Sequence, residues 1–533
     1  MKKKVFHVTV YCFAVIAWTF VASNVVAFDN EAHKALSERA ITVSGVDNFL
    51  KTVLRYEFPQ GTSHSSLAGR TVVQLIQDGA VLEDSPFRRV INHFHNPKLS
   101  WDQAGLRPPG ATGPVGESSV AWGQNANQGS LYGGKASWHQ AREAYFRALT
   151  ATDPFARKVR WAETFRFLGH AIHHVQDAAA PSHTRNDSHL SGINTDLFHS
   201  FSERSEILAL IRDVALLPAQ PLEASYLGNL PSPDSRYPVP ISRLLDTSAG
   251  DIGAAALGDG SGMGVAEYSN ANFFSEDTIF PETFPYPGLA NLQFSAPELD
   301  PATGKKKNYL RFKPGFGETN YSLAQASSLR NISSTTVSTD IGLDYKVLKD
   351  YGLKLFPRAI SYSAGLINYF FRGKIDSTLW PIGYIWVPWE SRPSSIRVEN
   401  VSVKVDGTNE QGGQGTMRLV LLYSYRYANT PSGAPRYVVS HPVSVSASST
   451  PQSLTFQFDS LPFPLTAPAL SGSHGYVYYG HLVYKGELGQ EPESVVVDSY
   501  CMYNGVRYDR WYVFEHGPSL NGQPIESAYM SEC

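Results

Sequence analysis

The sequence predicts a multidomain protein of α and β parts, a helical domain followed by a C-terminal β-sandwich. Three observations carry that prediction. The chain has 533 residues, more than one ordinary core organises. Ahead of residue 374 it holds stretches whose apolar residues recur at three and four, the helical period. Beyond residue 394 the apolar residues alternate in period two, the strand period.

The first element, "MKKKVFHVTVYCFAVIAWTFVASNVVA", has three lysines, an apolar run without acidic residues and a close in small residues. It reads as a secretory signal over residues 1–27, cleaved near Ala27, which makes the mature protein secreted or periplasmic. A retained membrane anchor is the alternative, and Cys12 has no lipobox around it. Without the leader's three lysines, 42 basic residues face 48 acidic ones, a net charge of −6. No polybasic tract offers a nucleic-acid or anionic-lipid surface. Cys501 and Cys533 are then the remaining thiols, so a zinc–thiolate cage is excluded, while export permits a disulfide between them.

Residues 28–375 form the expected helical domain. "NEAHKALSERAI" is helical from a cap at Asn30, and "RPPGATGPVGESS" is a loop. "KASWHQAREAYFRALT", "RKVRWAETFRFLGHAIHHVQD" and "TDLFHSFSERSEILALIRDVALL" are amphipathic helices. Residues 218–338, rich in Pro, Gly, Ser and Asn, read as surface excursions with short helices. A last apolar helix runs through Pro357 to Gly373. In residues 390–533, "IRVENVSVKVDG", "MRLVLLYSYRYAN", "RYVVSHPVSVSAS", "SLTFQFDSL", "YVYYGHLVYKG" and "SVVVDSYCMYNG" are the strands of the sandwich.

Histidine is unevenly placed. Of the 16, one lies in the leader, four lie in the β region and the other 11 fall between His33 and His199. His173 and Asp177 are four apart, one turn along a single helical face. Pro181 predicts that the helix ends before it, so His183 arrives from the loop beyond. His199 and Glu203 repeat the four-residue spacing on the next helix. Imidazole and carboxylate donors without thiolate suit zinc, with manganese or iron behind it.

"GHAIHHVQDAAAPSH" resembles the signature of the bacterial zinc-dependent phospholipases C, relatives of the trinuclear-zinc S1/P1 nucleases. His173, Asp177, Pro181 and His183 fall on its positions, while His174, Gln176 and Asp187 stand where Tyr, Gly and Asn are usual. His199 and Glu203 match the family's final pair, and "NHFHNP" makes His93 the upstream ligand. In "DGAVLEDSP" the resemblance assigns Asp84, with Asp78 as the alternative. The family's first mature residue, normally Trp, chelates zinc through its free amine and carbonyl. Cleavage after Ala27 makes that residue Phe28, with His33 completing the site.

The resemblance covers residues 28–373, with motifs assignable to Glu203. It implies up to three Zn2+: one on Asp84, His93, His173 and Asp177, one on His183, His199 and Glu203, and one on Phe28, His33 and the shared Asp177. Metal charge in a pocket suits a phosphodiester, and Asp84 is the implied base that orients the attacking water. The implied activity is phospholipase C, releasing diacylglycerol and a phosphorylated headgroup from a phospholipid. The alternatives are an S1/P1-type single-strand nuclease, with nucleic acid as partner, and a non-catalytic zinc scaffold with a binding β domain. The C-terminal domain is expected to make peripheral membrane contact. His95, His170, His174 and His189 are left without a ligand role.

Overall fold

The computed structural model describes residues 30–65, 67, 69–108, 110–188, 196–222, 234, 236–237, 239–248, 250, 262–280, 283–300, 303–326, 341–379, 395–424, 436–446, 450–459, 477–503, 506–508, 519–520 and 523–524. The leader and Phe28 lie outside them. The chain divides into two compact units: one of residues 1–45, 73–140 and 165–369, the other of 46–72, 141–164 and 370–533. Helices dominate the first and antiparallel strands the second.

The first unit contains α1 (Asn30–Val43) and, counting a two-turn helix Val46–Thr52 of the second unit as α2, α3 (Val72–Leu82) and α4 (Ser119–Gln124). Ser118 Oγ caps α4 by accepting from the Ala121 amide. The division between units falls within α5 (Trp138–Thr150) and α6 (Pro154–Asp177). Asp153 accepts from the Ala156 amide ahead of Pro154, a cap and an N1 proline that start α6 sharply. Then come α7 (Pro181–Thr184), α8 (Leu197–Ser202), α9 (Ser205–Arg212) and α10 (Val265–Asn272). The long α11 (Tyr345–Phe370) buries Val347, Tyr351, Leu355, Phe356, Ala359, Ile360 and Ile367, a wide apolar face that outweighs the hydrogen bond lost at Pro357. It ends three residues before Gly373, whose φ of 108° suits the turn that leaves it.

Two sequence expectations need correction here. Besides short helices, the Pro/Gly-rich tract holds β1 (Leu292–Phe294), β2 (Glu298–Leu299), β3 (Lys306–Phe312) and β4 (Ala324–Ala326), which with β5 (Ile341–Gly342) just beyond it make a small antiparallel sheet. Four of these strands have only two or three residues, and the seven of β3, KKNYLRF, do not alternate, so no period shows. His183 sits on the short helix α7, not in a loop, because Pro181 that ends one helix is favoured at the first position of the next.

In the second unit β6 (Lys374–Leu379), β7 (Ser395–Lys404) and β11 (Gln452–Gln457) make one sheet. β8 (Gly412–Ser424), β9 (Arg436–Val439), β10 (Val443–Val445), β12 (Val477–Leu488), β13 (Glu491–Tyr503) and β14 (Val506–Tyr508) make the other. Ile396, Val398, Val401 and Phe456 of the first sheet share one core with Met417, Leu419, Leu421, Leu482 and Val496 of the second. Val398 and Val401 both face inward although three apart, because the pairing shifts between them around Asn400, at φ 53°. Cys501 lies on β13 and Cys533 is outside the described residues. Among the described residues no helix is long and apolar enough to cross a membrane.

Candidate metal centre

Helices α3 and α6 meet backbone to backbone. A Cβ on Gly79 would lie 2.0 Å from the Arg166 carbonyl oxygen, and one on Gly169 would lie 2.2 Å from that of Ile76. Only glycine admits that approach. It brings the end of α3, with Glu83 and Asp84 just beyond it, against the last two turns of α6, which carry His170, His173, His174 and Asp177. The 3-10 turn Phe87–Asn92 then delivers His93, whose amide donates to the Val90 carbonyl. His33 comes from α1, held in place by Arg39, which donates to the Ile211 and Arg212 carbonyls at the end of α9 and to the Leu217 carbonyl beyond it.

Asp177 is the centre of the group. Its Oδ2 lies 2.9 Å from His173 Nε2, 3.0 Å from His93 Nδ1 and 3.5 Å from His183 Nδ1, and its Oδ1 lies 3.4 Å from His33 Nε2. Asp84 Oδ1 is 3.6 Å from both His93 Nδ1 and His173 Nε2. Neither oxygen of the fully buried Asp177 makes a hydrogen bond of normal geometry. Buried carboxylate oxygens ringed by imidazoles yet unbonded are an arrangement that an ion completes. Two triads, His33–Asp84–His173 and His93–His173–Asp177, each have donor atoms within 4.8 Å of one another. These buried groups can hold a metal, and the donor set fits zinc.

Second partners set which ring nitrogen faces the centre. His173 Nδ1 is 2.7 Å from the Ala80 carbonyl, so it donates there and leaves Nε2 with a lone pair toward Asp177. His33 Nδ1 is 2.6 Å from Gln176 Oε1, and Gln176 in turn donates to Ser37, which turns His33 Nε2 inward. His183 stacks on Phe94 with centroids 4.4 Å apart. Burial pushes the His33 imidazole down to about 3, reinforced by His173, so it stays neutral and fit to ligate. Burial also opposes a proton on His93, but Asp177, Glu83 and Asp84 outweigh it and raise that group to about 10. The same imidazoles hold the Asp177 carboxyl well below its ordinary range against the cost of its burial.

The structure therefore brings together His33, Asp84, His93, His173, Asp177 and His183. Asp78 joins no such group among the described residues. His199 and Glu203 pair with each other at 2.8 Å on a partly exposed face, and they form no triad with His183 among the described residues. Phe28 and His189 lie outside the described residues. His95 is 2.9 Å from Asp246, which also accepts from Trp101.

Sequence reasoning missed Glu83. Its fully buried carboxylate meets Arg89 Nη2 and His170 Nδ1, each at 2.5 Å, and Trp122 Nε1 at 2.9 Å, with His174 Nε2 at 3.4 Å. The one trace in the sequence is its place beside Asp84. Gln176, noticed only as a departure from a motif, orients His33.

No family model matches the chain, and no curated protein does. Among solved structures, one match is the alpha-toxin of Clostridium perfringens isolated from avian strain SWCP. It shares 10% identity over 90% of this chain and 97% of that one, with a TM-score of 0.21. A likeness that slight carries no argument, and the centre is read from its own residues.

Proposed function

We propose that the chain is a secreted or periplasmic zinc-dependent phosphodiester hydrolase of the phospholipase C type. The observation that carries this reading is Asp177, buried without a normal hydrogen bond among four inward-turned imidazoles. In the proposal Asp84, His93, His173 and Asp177 hold one ion. His33, Asp177 and the amine of Phe28 would hold a second, while a third on His183, His199 and Glu203 would require the His199–Glu203 pair to be drawn to His183. Bound zinc would polarise the phosphoryl oxygens and lower the pKa of a coordinated water to about 7.

Asp84 keeps 11% side-chain exposure where Asp177, His93 and His173 keep none. It is thus the less enclosed of the two carboxylates, and its proposed role is to orient the attacking water and accept its proton. The phosphorus–oxygen bond to glycerol then breaks, and the leaving oxygen takes up a proton as diacylglycerol departs. The strand-rich unit supplies peripheral contact with a lipid surface.

The test uses the mature chain beginning at Phe28, loaded with zinc and assayed against phosphatidylcholine vesicles and single-stranded DNA. The expected result is diacylglycerol release that a chelator abolishes and zinc restores. Cleavage of DNA alone would transfer the assignment to the S1/P1 type, and zinc uptake with neither activity would leave a scaffold.

A further inference from the structure

We propose that Glu83 is a positioning residue for the metal centre: it holds the outer nitrogen of His93 so that Nδ1 is presented, unprotonated, to the ion. This rests on the metal reading above. The two consecutive carboxylates Glu83 and Asp84 flank opposite edges of one imidazole. Asp84 Oδ1 is 3.6 Å from His93 Nδ1, and Glu83 Oε1 is 3.7 Å from His93 Nε2. The Nδ1 edge also faces Asp177 Oδ2 and His173 Nε2, so it belongs to the centre. The Nε2 edge is buried and makes no hydrogen bond as it stands. A ring adjustment of about 0.8 Å brings it to bonding distance of Glu83.

Glu83 is built to stay where it is. Oε2 is fixed by Arg89 and His170, and Oε1 by Trp122. Arg89 is itself anchored on the Tyr132 and Gly134 carbonyls, at 2.9 and 3.1 Å. A carboxylate so held can impose one tautomer on a neighbouring imidazole. Glu83, His93 and His174 also lie within ligand reach of one another. The Arg89 guanidinium, 2.5 Å from the carboxylate, already neutralises it and would repel a second cation there. Orientation, not ligation, is the role left to Glu83.

Zinc affinity measured by chelator competition, together with the visible spectrum of the cobalt-substituted protein, tests this on the wild type, Glu83→Gln and the double variant Glu83→Gln/Arg89→Met. The double variant avoids a stranded buried guanidinium and so covers a folding failure of the single one. The expected result is a loss of about 10–100-fold in affinity for one zinc, with an altered cobalt spectrum, in whichever variant keeps the wild-type circular dichroism. A folded variant that binds every zinc within about twofold of wild type, with an unchanged spectrum, overturns the role of Glu83 while the metal reading stands. A wild type that takes up no zinc overturns both.

Discussion

Replacing Gly169 by alanine separates the helices that build the centre without touching any donor. The added Cβ falls 2.2 Å from the Ile76 carbonyl oxygen and 2.8 Å from the Ala80 amide nitrogen. Relief requires α3 and α6 to part by about 1 Å, since carbon and oxygen pack no closer than roughly 3.2 Å. The bond from His173 Nδ1 to the Ala80 carbonyl, 2.7 Å in the native chain, then stretches to about 3.7 Å and is lost. Ligand distances in a metal site tolerate only about 0.2 Å, so the shift carries Asp84 out of register with His173. Overpacking of this kind costs about 1–3 kcal/mol, which in a unit of about 300 residues lowers Tm by about 2–5 °C. Zinc affinity should fall about 10–100-fold, as it does when an orienting bond is removed. Chelator competition and thermal denaturation measure both. A folded G169A protein with lowered Tm and wild-type zinc affinity would refute the claim that this helix contact sets the centre.

Asp177→Asn removes the charge that four imidazoles surround and should release at least one zinc per chain by metal analysis, while circular dichroism stays native. His93 holds a proton up to about pH 10 in the metal-free chain, and ligation needs the neutral ring. Zinc affinity should therefore rise about tenfold per pH unit between roughly 6 and 9, seen as proton release in calorimetry; a flat profile would contradict it. In the second unit the cost of burying Glu491 is outweighed by Arg142 and Arg372, which hold its carboxyl at about 2 against an ordinary 4.5. A depressed carboxyl stabilises the fold above the unfolded value and loses that contribution as pH falls. About 3 kcal/mol should thus disappear between roughly pH 4.5 and 2. Glu491→Gln should flatten that decline in acid denaturation of the intact chain.

Much of the centre was legible because helical spacing is local. His173 and Asp177 share a face by the geometry of α6 alone, and Pro181 marks where that helix stops. Helical and strand textures likewise separate along the chain, although short strands such as β1–β5 leave no periodic trace. Glu83 was invisible because its partners lie 6, 39 and 87 positions away at Arg89, Trp122 and His170. A buried carboxylate looks like a surface one until the chain is folded around it. The His199–Glu203 pair shows the converse, since a ligand-like spacing says nothing about what the outer end of the pair faces.

By itself the sequence determined the donor types, the order in which they occur and the helices that carry them, because residue chemistry and helical period are properties of short segments. Tertiary structure decided the rest. Gly79 and Gly169 let two helices touch, and the Ala80 carbonyl and Gln176 turned His173 and His33 inward. The same packing set Glu83 and Asp84 on opposite edges of the His93 ring. Those facts depend on contacts between distant segments, and such contacts follow from packing a core rather than from any local pattern.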